Sequence, residues 1–108
     1  MAAFDLHRLA EIEGGGLVVD VQSDLIDVLD TRVVVPLLPI GGAPKRAARL
    51  NPVLALPASA FSGPDGSVAL FPQFIAAVPR GALGPPVGSL ADERDRIRDA
   101  LDMLFLGF

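Results

Sequence analysis

Ten prolines and eleven glycines are spread through a chain of 108 residues, and they limit every regular segment to a short length. Proline fixes φ and removes a backbone donor, and glycine weakens helices and strands alike. Short strands joined by turns fit this punctuation better than a bundle of helices does. The sequence therefore predicts a mainly β protein whose segments end at the Pro and Gly clusters.

Length and composition limit both the domain count and the class of function. A chain of 108 residues, 51% of them hydrophobic, can bury one core and is too short for two, so residues 1–108 are expected to form a single domain. Cysteine is absent, which excludes disulfides, thiolate metal sites and a cysteine nucleophile. Neither a signal-peptide pattern nor an apolar run of ~18 residues occurs, so we expect a cytoplasmic protein with no membrane partner. The net charge of −4 argues against direct nucleic-acid binding.

Apolar and β-branched runs predict six strands, at Ala3–Leu9, Leu17–Gln22, Thr31–Leu38, Val53–Leu56, Val68–Phe71 and Phe74–Val78. The segment Thr31–Leu38 is a continuous β-branched run, which is consistent with a strand buried on both faces. Such a strand, with more apolar residues than so small a monomer can bury, predicts a homodimer. Asp20 lies inside a hydrophobic strand, so if it is buried it is expected to be hydrogen-bonded and to fix the following loop.

The C-terminal segment predicts the one helix. Ser89 and Asp92 have the spacing of a capping box, and Gly107 is placed to end the helix. Apolar residues recur at helical spacing along one stripe: Ile97, Ala100, Leu101, Leu104, Phe105 and Phe108. Ile97, Leu101 and Leu104 are expected in the core, and Leu106, Gly107 and Phe108 are expected to be at least partly exposed.

No residue pattern predicts a catalytic, cofactor or metal site. His7 is the only histidine, and a lone histidine on a strand is more often packed than catalytic. Asp20, Asp24, Asp27 and Asp30 lack the glycine and the terminal glutamate of an EF-hand, and their spacing suits caps and turns.

Two stretches carry a family resemblance. The string Leu17–Asp27, which contains Val-Asp-Val-Gln-Ser-Asp followed by Leu-Ile-Asp, and the C-terminal segment Ile97–Phe108 together resemble the CcdB family of toxins. Arg32–Leu37 is similar to the third strand of that family. The segment Gly41–Gly66 resembles it only weakly.

The resemblance implies an SH3-like β-barrel with a C-terminal helix, paired into a dimer through the barrel sheets. It implies a toxin of a toxin–antitoxin system that binds the A subunit of DNA gyrase and is not an enzyme. Carried over by position, the gyrase-binding residues are Leu25, Ile26, Asp99, Asp102, Phe105, Leu106, Gly107 and Phe108. Leu106 stands where the best-known form has a tryptophan, Phe108 where it has isoleucine, and Asp99 and Asp102 where it has asparagines.

The same resemblance implies neutralisation by a CcdA-like antitoxin. Antitoxin tails are often acidic, and we expect this one to meet the basic set Lys45, Arg46 and Arg49. Two alternatives stay open: a MazF/Kid-like endoribonuclease on the same barrel, and a CcdB-like binding module that has lost its toxicity.

Overall fold

The described part of the chain folds into an antiparallel half-barrel with one α-helix. A computed structural model describes residues 2–9, 16–39, 47, 49–56 and 67–107. The described elements are β1 (Asp5–Leu9), β2 (Gly16–Asp20), β3 (Thr31–Pro39), β4 (Val53–Ala55), β5 (Ser67–Leu70), β6 (Ala76–Pro79), β7 (Gly88–Ser89) and α1 (Arg94–Leu106). The strand order is β4-β5-β3-β2-β1-β7, and β6 also pairs with β3. The predicted mainly β fold with a C-terminal helix is confirmed.

Strand β3 is the centre of the sheet. Val34 pairs with Asp20 of β2 on one edge and with Ala76 of β6 on the other. Further along, Leu37 pairs with Leu70 of β5. The long strand β3 therefore pairs first with β6 and then with β5 along the same edge. This double pairing bends the sheet into a half-barrel.

Side-chain alternation divides the apolar residues of the sheet between two faces. In β2, Leu17 and Val19 belong to the main core, whereas Val18 lies in a smaller cluster with Val34 and Leu83. Ile97 and Ala100 of α1 are fully buried in the main core. The helix therefore covers one face of the sheet, as its predicted apolar stripe requires.

The predicted stripe is wrong at its C-terminal end. Leu101 and Leu104 are half-buried, and Phe105 is 64% exposed. Eight residues at ~100° each turn Phe105 about 80° away from Ile97, so it lies at the edge of the stripe. Phe108 lies outside the described residues.

Two predicted element starts need correction, and one strand was not predicted. Pro72 opens a 3-10 turn over Pro72–Phe74, so β6 begins at Ala76 and not at Phe74. Another 3-10 turn precedes α1, which begins at Arg94; Ser89 Oγ accepts only from Ala91 N, at 3.2 Å. The short strand β7, which pairs with Asp5 and Leu6, was not predicted.

None of the helical segments in the described ranges has the length and apolar character that crossing a bilayer requires. The predicted turn at Gly63–Gly66 and the basic residues Lys45 and Arg46 lie outside the described residues.

Candidate protein-interaction surface

A buried ion pair lies beneath the connection between β2 and β3. Arg32 Nε donates to Asp20 Oδ2 at 2.7 Å, and both side chains are fully buried. Asp20 Oδ1 accepts from the backbone N–H of Gln22 at 3.0 Å. The hydrogen bond to Asp20 raises the pKa of Arg32 above its ordinary value, against the lowering effect of burial. The prediction that Asp20, if buried, would be hydrogen-bonded is confirmed.

Asp27 joins this pair to Arg80, which follows β6. Arg32 Nη1 donates to Asp27 Oδ1 at 2.7 Å, and Arg80 Nη2 lies 3.2 Å from the same oxygen. Arg80 Nη2 also donates to the backbone carbonyls of Asp27 and Leu29, the latter at 3.0 Å. Two arginines from different parts of the sheet therefore fix one carboxylate through charge-assisted hydrogen bonds. We call these four side chains, Asp20, Arg32, Asp27 and Arg80, the ion network.

Residues 24–29 lie over the ion network and are called the apolar turn below. The segment starts with the 3-10 turn Asp24–Ile26, where Ser23 Oγ accepts from Leu25 N at 3.1 Å. Leu25 is 94% exposed and Val28 is 90% exposed, and Ile26 and Leu29 are about half exposed. Large apolar side chains gathered on a short segment and turned to solvent are typical of a protein-binding surface.

The C-terminal end of α1 is a second exposed apolar region. Phe105 is 64% exposed and Leu106 is 62% exposed. Gly107 ends the helix with φ = 81°, and its N–H donates to the carbonyls of Asp102 and Met103. A left-handed φ of this kind favours glycine, so the predicted terminator is confirmed. The predicted exposure of Leu106 and Gly107 is confirmed as well.

The predicted gyrase-binding residues thus fall into two groups. Leu25 and Ile26 lie in the apolar turn, whereas the described remainder lies on α1, which packs beside the 3-10 turn Pro72–Phe74. No hydrogen bond or ion pair between described residues joins the two groups. On α1, Asp99 is exposed and Asp102 is half-buried.

A groove of about 180 Å³ lies between Arg49 and α1. Its lining includes Arg49, from the predicted antitoxin-binding set, and Asp99, from the predicted gyrase-binding set, together with Pro52 and Arg96. Arg96 Nη1 donates to Glu93 Oε2 at 2.9 Å. The tertiary structure therefore brings one residue of each predicted set to the same groove.

His7 and Arg32 of the described sheet are inaccessible to solvent. His7 is fully buried; its Nδ1 lies 2.8 Å from the carbonyl of Gly84, and its Nε2 has no hydrogen-bond partner. Arg32 is fully buried in the ion network. Within the described ranges, no three His, Asp or Glu side chains are grouped to hold a metal ion. Asp24 Oδ1 instead accepts from the backbone of Ala3 at 2.8 Å, a structural role of the kind predicted for these aspartates.

Val28, Leu29 and Arg80 belong to this surface but are not among the residues predicted from the sequence. The four apolar residues at Leu25–Ile26 and Val28–Leu29, separated by Asp27, are visible in the sequence and could have marked the whole segment as an exposed turn. Arg80 gives no such signal, because it lies 53 positions from Asp27 and meets it only through the pairing of β3 with β6.

Solved structures of small toxins share this fold. An endoribonuclease in complex with its cognate antitoxin, from a mycobacterial species, has a TM-score of 0.69 at 18% identity, covering 100% of this chain and 98% of that chain. The Mycobacterium tuberculosis toxin MazF-mt6 has a TM-score of 0.70 at 16% identity, covering 94% and 95%. The MazE-MazF structure from Deinococcus radiodurans has a TM-score of 0.67 at 16% identity, covering 98% and 95%. The protein therefore has the barrel fold of the MazF-like toxins.

Within this fold class, the sequence itself decides the family. The family model described as CcdB protein matches residues 3–107, and the chain belongs to the CcdB family. It is accordingly a toxin of the toxin–antitoxin class. No curated protein matches the sequence.

Proposed function

We propose that this protein is a non-enzymatic toxin that binds the A subunit of DNA gyrase and inhibits or poisons it. The observation that carries the proposal is the exposure of Phe105 and Leu106 at the end of α1, where their side chains are mostly turned to solvent. Aromatic side chains are enriched in protein–protein interfaces, and a few residues near the centre of an interface supply most of its binding energy. The apolar turn adds Leu25 and Ile26, and Asp99, Asp102, Gly107 and Phe108 complete the proposed surface.

A MazF/Kid-like endoribonuclease is the second candidate, and the fold favours it as much as it favours the first. One of the structural neighbours is an endoribonuclease. Cleavage of RNA by a general acid and base requires groups that reach the substrate. His7 and Arg32 are fully buried, so neither reaches solvent in the described part of the chain. His7, the only histidine of the chain, and Arg32 therefore cannot reach RNA as its general acid or base in this structure.

We propose a CcdA-like antitoxin as the second protein partner. A structural neighbour is held in complex with its cognate antitoxin, which supports a partner of this kind. Arg49 is exposed beside the groove on α1 and is available to an acidic tail. Lys45 and Arg46 are the other members of the proposed set.

A homodimer is proposed for the same protein. Strand β6 pairs with β3 on one edge, and no other described strand pairs with its second edge. Ala76, Ala77 and Pro79 of β6 are exposed. An open edge of this kind, beside many exposed apolar residues, favours association with a second copy.

A reaction with purified gyrase tests the leading function. Wild-type protein is mixed with gyrase and ATP on supercoiled DNA, to detect trapped breaks, and on relaxed DNA, to measure supercoiling. In parallel it is mixed with a long single-stranded RNA. Trapped DNA breaks or lost supercoiling with intact RNA are expected. Deletion of residues 106–108 should abolish the effect on gyrase, whereas Arg94→Met, at the exposed start of α1, should leave it unchanged.

RNA cleavage by the wild type, unaffected by the deletion, would instead establish the ribonuclease. Inactivity of the folded wild type in both reactions would favour the third alternative, a CcdB-like binding module that has lost its toxicity.

A further inference from the structure

We propose that Asp27 and Arg80 are positioning residues that hold the apolar turn in its binding-competent conformation. The inference rests on the proposed function, because its partner is the gyrase A subunit. It adds two residues that lie outside the predicted contact set, and it assigns a role to the ion network beneath the turn.

The apolar turn has little to hold it from within. Its most exposed side chains, Leu25 and Val28, face solvent and belong to neither core cluster. Three backbone bonds cross the segment: Ile26 N to Ser23 O at 3.2 Å, and Asp27 N to Asp24 O and Leu29 N to Ile26 O, both at 3.3 Å. These distances are at the long end for an N–H···O bond. Ordering this segment costs backbone conformational entropy, and its own weak hydrogen bonds offset little of that cost.

Bonds from outside the turn supply what its interior lacks. In the first half of the turn, Gln22 Nε2 donates to the backbone carbonyl of Ile26 at 3.1 Å. The second half of the turn depends on Asp27 and Arg80. Arg80 Nη2 donates to the carboxylate Oδ1 of Asp27, to the backbone carbonyl of Asp27 and to the backbone carbonyl of Leu29. The backbone N–H of Arg80 adds a bond to Asp30 O at 2.8 Å.

The rigidity of these bonds comes from the buried half of the ion network. Arg32 donates to Asp27 while its Nε is held by Asp20, and both members of that pair are excluded from solvent. Asp27 itself is 45% exposed and Arg80 is 34% exposed. The network therefore runs from the core of the sheet to its surface and ends at the apolar turn.

A positioning role and a contact role differ in binding kinetics. If only a fraction of molecules has the turn in the competent conformation, the apparent affinity falls by that fraction. The lower affinity then results from a lower association rate constant, and the dissociation rate stays the same because the bound complex is unchanged. Removal of a contact residue mainly raises the dissociation rate instead. Kinetics thus separate Asp27 and Arg80 from Leu25.

The experiment uses full-length Asp27→Ala, Arg80→Met and Leu25→Ala, with Arg94→Met as the matched arginine control. Arg94 also donates to a backbone carbonyl, that of Ala91 at 3.2 Å, but at the start of α1. Association and dissociation rates are measured with immobilised gyrase A subunit. Amide hydrogen exchange of Ile26, Asp27 and Leu29 is measured without any partner.

Asp27→Ala and Arg80→Met are expected to slow association about tenfold, as for a competent fraction of about one in ten, with dissociation unchanged. Both should speed exchange of the three turn amides, and core amides such as that of Val35 should not change. Leu25→Ala is expected to raise the dissociation rate with unaltered amide exchange. Arg94→Met should match the wild type throughout. Should Asp27→Ala fail to fold, Arg80→Met carries the test, since its side chain is partly solvated.

Unchanged turn exchange in Arg80→Met, or a raised dissociation rate with normal association, would overturn the positioning role. Wild-type protein that does not bind the gyrase A subunit would refute the proposed function instead. In that case the exchange measurement still decides whether Asp27 and Arg80 order the turn.

Discussion

Two substitutions on α1, Ile97→Ala and Phe105→Ala, separate the face of the helix that holds the fold from the end that is free to bind. Ile97 is fully buried in the main core, so truncation opens a cavity as well as losing apolar contacts. The expected cost is about 2–5 kcal/mol. In a chain of this size about 4 °C of melting temperature corresponds to each kcal/mol, which gives a fall of about 8–20 °C.

Phe105 is two turns further along the same helix, and about a third of its surface is covered. Full burial of a phenylalanine side chain contributes about 1.5–3 kcal/mol, so truncation here loses about 0.5–1 kcal/mol. Alanine has the higher helix propensity and offsets a few tenths of a kcal/mol of that loss. The melting temperature of Phe105→Ala is expected within about 4 °C of the wild type.

Urea unfolding and thermal melts of both variants, at one fixed protein concentration, check these values. Binding to the gyrase A subunit is measured on the same preparations. Phe105→Ala should fold but lose this binding, whereas the folded fraction of Ile97→Ala should retain it. If Phe105→Ala destabilises as much as Ile97→Ala, then Phe105 is covered in the native assembly. The end of α1 would then be part of the fold and not an open binding surface.

Three further predictions concern the dimer, the antitoxin and the ion pair. Sedimentation at micromolar concentration should give the mass of two chains, and a single-chain mass would refute the homodimer. Reversing the charges of Lys45, Arg46 and Arg49 should slow association with an acidic antitoxin tail and flatten its salt dependence, and unchanged kinetics would mean that these residues are only solvated. Arg32→Met should cost about 3–5 kcal/mol in chemical unfolding because Asp20 is left buried and unpaired. Adding Asp20→Asn should recover part of that loss, and no recovery would contradict this cause.

Local sequence determined the elements that depend on near neighbours in the chain. The β-branched run at Thr31–Pro39 and the turn-rich spacing between strands led to the β architecture, because strand propensity and the effects of Pro and Gly act over a few residues. Gly107 was recognisable as the helix end, since few other residues adopt its backbone conformation. The hydrogen bonding of Asp20 was also predictable, because a carboxylate that is buried inside an apolar strand requires a partner.

The partner of that carboxylate and the shape of the surface were decided only by the tertiary structure. Arg32 meets Asp20 across the β2–β3 pairing, and Arg80 reaches Asp27 because β6 lies beside β3. Register and strand order, which depend on the packing of the whole sheet, set these contacts between positions far apart in the chain. The exposure of Phe105 likewise depended on where α1 crosses the sheet. The sequence by itself therefore determined the family and the elements, and tertiary packing determined which side chains are held, buried or left open to a partner.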